Sequence, residues 1–174
     1  MNAKEMVVAS LTQTRGYLNR SLEGLTQEDF AWRPNDQCNS IAFIMWHAAR
    51  VEDYFFTRVL QRKTAIYEAE GWAEKLGTPP DSGYGYTIDQ LQTWPVPKLE
   101  NLWGYADAVR QSTLAYLEQL TPETMLELVR PDRPPDTIGG MLIRICTEIA
   151  LHTGQIDYLR GLRCGFVATE APQY

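Results

Sequence analysis

An excess of basic residues, long apolar runs and paired cysteines are all missing from this chain, and each absence removes a class of function. Sixteen Lys and Arg stand against 22 Asp and Glu, for a net charge of −6, and the basic residues are scattered singly. No backbone-neutralising surface for nucleic acid or for an anionic membrane can be built from that supply. No apolar run approaches the ~18 residues of a membrane span, and the N-terminal stretch lacks the apolar region of a secretory signal. The expectation is a soluble cytoplasmic protein with neither nucleic acid nor membrane as partner. Cys38, Cys146 and Cys164 are an odd number at wide spacing with no CxxC, which supports neither a disulfide framework nor a zinc knuckle. Strand-like alternation is absent over any useful length. So are a Gly-rich phosphate loop, an HExxH motif and a Ser/His/Asp order.

What remains is helical. The chain has 174 residues, 44% of them hydrophobic and 22% charged, enough for one domain with a sizeable core. Met6, Val7, Leu11, Tyr17, Leu18 and Leu22 recur at helical spacing and predict helix 1 over residues 4–22. Thr26 and Asp29 resemble a capping box for a short turn, and Ser40 is the expected N-cap of a second helix from Ile41 to Arg62. Gly71 to Pro97 reads as a long connection with one helical turn at TIDQLQTW. Its aromatics Trp72, Tyr84, Tyr86 and Trp94 either close one end of the helices or cover a site. Helix 3 follows from Lys98 to Leu120, with Leu102, Tyr105, Val109, Leu117 and Leu120 on one stripe. Thr121 and Pro122 start a short helix to Val129, PDRPPD breaks the pattern, and Thr137 caps a last long helix to Leu162. Four long helices without strands predict an all-α four-helix bundle, a single domain over residues 1–174.

The chain has two histidines, so each can be placed. At 100° per residue His47 shares a face with Phe43, Ile44, Val51 and Tyr54, and His152 lies in the stripe of Met141, Ile145, Ile149, Ile156 and Leu159. Both point inward. Glu148 precedes His152 by one turn on the same face, so the two can chelate one ion, with His47 as a third ligand from the facing helix. Two imidazoles and a carboxylate leave coordination positions for water or substrate, as catalytic sites do. The plainer alternative is two hydrogen-bonded core histidines, with Glu148 paired to Arg144 one turn upstream. Tyr54, one heptad after His47, and Gln155, three residues after His152, reach the same interior and are candidate substrate-binding residues or ordinary packing.

The stretches Ser40-IAFIMW-His47-AA-Arg50-VE-Asp53 and Glu148-IAL-His152-TG-Gln155-IDYLRGL resemble the two signature segments of the DinB-like superfamily, and the resemblance extends over the whole chain. It implies a four-helix bundle, commonly a homodimer, with a divalent metal on three histidines: one on helix 2 and an HxxxH pair on the last helix. Those positions are here His47, Glu148 and His152, so a glutamate stands where the family usually has a histidine. The implied metal is zinc or nickel, with iron or manganese as further options. The implied activity is a metal-dependent transfer or isomerisation of a small-molecule substrate using a low-molecular-weight thiol such as mycothiol, bacillithiol or glutathione. The alternative is a non-enzymatic dimeric helical-bundle binding module with a decayed metal site.

Overall fold

A helix begins where a side chain satisfies its first free backbone N–H groups, an arrangement contributing ~1 kcal/mol per cap. The computed structural model, which describes residues 1–130 and 136–165, shows several such starts. Asn2 and Glu5 form a reciprocal capping box on α1 (Ala3–Leu22), and Thr26 with Asp29 does the same for α2 (Gln27–Ala31). Ser40 accepts from the Phe43 N–H at 3.1 Å and starts α3 (Ile41–Asp53), which runs on without a break as a π-helix over Tyr54–Leu60. Three short helices follow: α4 (Ile66–Ala69), α5 (Trp72–Leu76) and α6 (Ile88–Thr93). The long α7 (Leu99–Glu118), a single 3-10 turn (Thr124–Leu126) and α8 (Ile138–Cys164), capped by Thr137, complete the order.

The four long elements pack in a closed ring of neighbours, α1 on α8, α8 on α3, α3 on α7 and α7 back on α1. The architecture is all-α, with no strand among the described residues. No helix among them is long and apolar enough to cross a membrane. Apolar side chains meet in two clusters. One holds Phe30, Phe43, Trp46, Tyr67, Leu102, Tyr105 and Ile156, and the other Leu11, Phe56, Leu117, Met141, Leu142 and Ile145. Buried charge ties the long helices together. Arg110 of α7 bonds both oxygens of Glu52 on α3, at 2.7 and 2.9 Å, and the Leu11 carbonyl of α1 at 2.7 Å. Burial works against the Arg110 charge, but the Glu52 carboxylate outweighs it and raises the guanidinium above its ordinary value.

Several sequence expectations are refined. The helix expected to end at Arg62 is α-helical only to Asp53, then widens into the π-turns. The connection carries helices α5 and α6 rather than one turn. Gly71 and Gly77, both left-handed, bracket α5, and a Thr87–Gln90 capping box starts α6. The short helix expected to Val129 contracts to the single 3-10 turn because Val129 instead donates to the Asp136 carbonyl at 2.8 Å. Met6 and Tyr17, which recur at helical spacing with the other apolar residues of helix 1, are exposed. The breaker PDRPPD falls at 131–136, of which 131–135 lie outside the described residues. All three cysteines are free.

Candidate functional site

His47 and His152 meet across the α3–α8 contact. Their rings stand edge to face, with centroids 5.0 Å apart. His47 Nδ1 donates to the Ser82 carbonyl at 2.5 Å, and His152 Nδ1 lies 2.9 Å from Gln155 Oε1. A backbone carbonyl only accepts, so His47 carries its proton on Nδ1 and presents the Nε2 lone pair. Gln155 Oε1 selects the same tautomer for His152. Nε2 of His152 is buried without a hydrogen-bond partner, and the nearest carboxylate oxygen, Oε2 of Glu148, is 3.8 Å away. The Trp46 and Trp94 indole nitrogens are also unpartnered, but those are donors packed against aromatic rings in the core.

These groups border a cavity of about 690 Å³ between α3 with its π continuation, α8 and the connection. Its wall includes His47, Tyr54, Glu148 and His152, together with Pro80, Asp81, Ser82 and Tyr84. Desolvation lowers the His47 pKa from its ordinary 6.5, and the neighbouring His152 adds to that, while the Ser82 carbonyl and Glu148 oppose it. His47 is therefore neutral at pH 7, the form that can ligate or accept a proton.

The segment that supplies Ser82 is held from α3. Arg50, one turn after His47, donates to the Pro80 carbonyl at 2.7 Å and the Asp81 carbonyl at 3.0 Å, and stacks its guanidinium 3.7 Å above the Tyr67 ring. Asp81 accepts from the Gly83 N–H at 2.8 Å and the Tyr86 hydroxyl at 2.7 Å. Gly83 closes the turn with φ +72°, and a Cβ there would sit 2.7 Å from the Phe43 ring and 2.8 Å from that of Trp46. Only glycine lets this backbone lie so close to α3. Beneath it, Asp53 is fully buried and accepts three bonds of 2.9 Å, from the N–H groups of Ile66 and Tyr67 and from the Tyr105 hydroxyl. Burial, reinforced by the Asp53 charge, holds Tyr105 well above its ordinary pKa, so it stays a donor.

The structure thus brings His47, His152 and Glu148 to one cavity, and Tyr54 borders it too, although it is exposed rather than inside the bundle. Gln155 does not: it is exposed and outside the cavity lining, with its Oε1 2.9 Å from His152 Nδ1. The expected Arg144–Glu148 pair is replaced by Glu148 leaning toward His152, while Arg144 approaches Asp136 at 3.7 Å. Of the connection's aromatics, Tyr84 reaches the cavity, whereas Trp94 and Tyr86 pack on Phe43 and Trp72 on Tyr105. Among the described residues no three His, Cys, Asp or Glu side chains converge closely enough to form a ready-made ion cage. Sequence reasoning missed Arg50 and the Ser82 carbonyl. The Asp-Ser-Gly turn at 81–83 was the available signal.

Comparison with known proteins agrees with this architecture. A family model described as the DinB superfamily matches residues 10–156. Among solved structures, a crystal structure of a conserved protein from Enterococcus faecalis superposes with a TM-score of 0.85 at 23% identity, covering 95% of this chain and 99% of that one, which speaks to the fold. No curated protein matches. With the match spanning most of its length, including both histidine-bearing helices, the chain belongs to the DinB superfamily.

Proposed function

We propose that the α3–α8 cavity is a divalent-metal site on His47, His152 and Glu148, and that the protein is a metal-dependent enzyme acting on a small molecule. The observation that carries this reading is the state of the two imidazoles. Each spends Nδ1 on a fixed oxygen acceptor, both rings border the cavity, and Nε2 of His152 is buried with no hydrogen-bond partner among the described residues. Metal-ligating histidines are oriented in just this way, by a bond from the second ring nitrogen to a carbonyl or amide oxygen. Two neutral imidazoles and a carboxylate suit zinc, nickel, iron or manganese, so the donor set fits. When bound, such an ion would lower the pKa of water or a thiol beside it. The chain's own contributions are separate from that. Ser82 and Gln155 fix the tautomers, Glu148 supplies negative charge, and the 80–84 segment covers one side of the cavity and limits water there. A low-molecular-weight thiol as co-substrate, and a homodimer as the assembly, are what the signature segments add to the proposal.

A second reading has its own observation. The absence of a closed three-residue cage among the described residues favours a binding module whose metal site has decayed, with Glu148 simply facing His152. Elemental analysis of protein purified without a metal-affinity tag separates the two. The enzyme reading expects about one ion per chain, lost in His152→Ala. Failure to retain zinc, nickel, iron or manganese at that stoichiometry even after reconstitution supports the module instead.

A further inference from the structure

Helix α8 lines the cavity with a ladder of residues one turn apart, Arg144, Glu148 and His152, and the α3–π element faces it with His47, Tyr54 and Arg58. Each set lies on one wall of the furrow, with His47 and Arg58 at opposite ends of one set and His152 and Arg144 at opposite ends of the other. At 1.5 Å per residue, Arg144 stands about 12 Å along α8 from His152. Arg50 also borders the furrow, but it is committed to Glu68 and to two backbone carbonyls. Asp81 is likewise committed, to Gly83 and Tyr86. Arg58 and Arg144 are different. Both are exposed. Arg58 makes no ion pair among the described residues, and Arg144 reaches only Asp136, at 3.7 Å. Glu148, the natural partner of Arg144 one turn away, leans toward His152 instead.

Arg58, without an ion pair among the described residues, and Arg144, held only by its 3.7 Å approach to Asp136, border one cavity with guanidinium N–H groups left for an anion. Guanidinium forks match oxyanions in geometry as well as charge. The side chains of Tyr54 and Phe55, edge to face at 5.3 Å, offer an apolar surface within the same furrow. The π-turns that follow Asp53 carry Tyr54, Phe55 and Arg58 to the same wall, an arrangement of the kind that π-segments make at functional sites.

We propose that the furrow binds a small organic anion, its oxyanion held by Arg58 and Arg144, its apolar body against Tyr54 and Phe55, and its far end directed toward His47 and His152. This deepens the proposed function, because it names the substrate class of the same cavity, but its test does not depend on a metal. Chelator-treated protein is titrated by calorimetry with hydrocinnamate, phenethylphosphonate and the neutral hydrocinnamamide, then repeated with Arg58→Gln and Arg144→Gln. At least one anion is expected to bind, the amide about tenfold or more weaker, and each substitution to weaken the anion by about tenfold, as loss of a charge-assisted bond does. Carboxylate preference points to a carboxylic acid substrate and phosphonate preference to a phosphate ester, and either supports the proposal. Equal binding of the amide, anion affinity unchanged in both variants, or no anion binding up to millimolar concentration overturns it. Metal content of the two variants is measured in parallel. A protein that binds the anion but never holds metal refutes the metal reading alone, and one that holds metal but ignores the anion refutes this proposal alone.

Discussion

Around Asp53 every carboxylate oxygen has its donors, whereas less than two turns earlier on the same helix His47 meets His152, whose Nε2 is left without a partner among the described residues. Both regions are polar groups set into an apolar interior, and both draw on α3 and the connection. The difference lies in completeness. The Asp53 carboxylate is closed off by two backbone N–H groups and a tyrosine hydroxyl, so it has nothing left with which to recognise a ligand. His47 and His152 are each fixed through Nδ1 beside a cavity, and Nε2 of His152 has no partner among the described residues. A satisfied buried network specifies the fold, and an incompletely satisfied one beside a cavity is where a ligand would complete the set.

That contrast can be attacked from the stability side first. Asp53→Asn keeps the volume but removes the charge and turns an amide toward donors, so it is expected to cost about 3 kcal/mol or more in a denaturant titration. In metal-free protein, His47→Ala or His152→Ala should cost only about 1 kcal/mol or less, since both rings are partly open to the cavity. If the histidine variants destabilise metal-free protein as much as Asp53→Asn, the two clusters do not differ in kind. Gly83→Ala comes next, at about 2 kcal/mol, from a positive φ and the collision with Phe43 and Trp46. A melting temperature indistinguishable from wild type would show that the 80–83 turn is not seated on α3 as described.

Finer effects sharpen the role of the orienting groups. Gln155→Ala leaves the three candidate ligands in place and should weaken metal affinity by roughly tenfold to a hundredfold, with the fold unchanged. Affinity equal to wild type in a competition titration would reduce Gln155 to a surface residue. The smallest effect is electrostatic. In metal-free protein the His47 ring is expected to titrate below its ordinary 6.5, because burial disfavours the imidazolium. The unfolded chain then takes up the proton first, so the contribution of His47 to stability is present above pH 6.5 and is lost as pH falls through the window below it. Proton NMR of the ring resonances reads the midpoint directly, and a value at or above 6.5 contradicts the assignment.

How much of this was legible in the sequence follows from what kind of atom does the work. His47, Glu148 and His152 are side chains at fixed helical spacings, and the caps at Ser40 and Thr137 fixed where those helices start, so the meeting of the three could be read from periodicity. The Ser82 carbonyl could not, because a backbone acceptor carries no sequence signature and its position depends on Arg50 and Gly83 acting together. Asp53 was equally hidden: it caps the α4 backbone from 13 residues upstream, a contact that only the tertiary fold creates. The change from α to π turns after Asp53 likewise left the apolar pattern of the helix intact, so nothing in the spacing announced it. Gln155 shows the opposite error. Its spacing from His152 was read as access to the interior, but the long side chain folds back along its own helix to reach Nδ1.

His47 and His152 are proposed to hold a metal at the cavity. X-ray absorption at the metal edge of protein reconstituted with zinc, and separately with nickel, tests it most directly. The expected first shell contains two imidazole nitrogens and a carboxylate oxygen at about 2.0 to 2.2 Å, with one imidazole lost in His47→Ala and one in His152→Ala. A shell without histidine scattering, or one identical in the two variants, would contradict it.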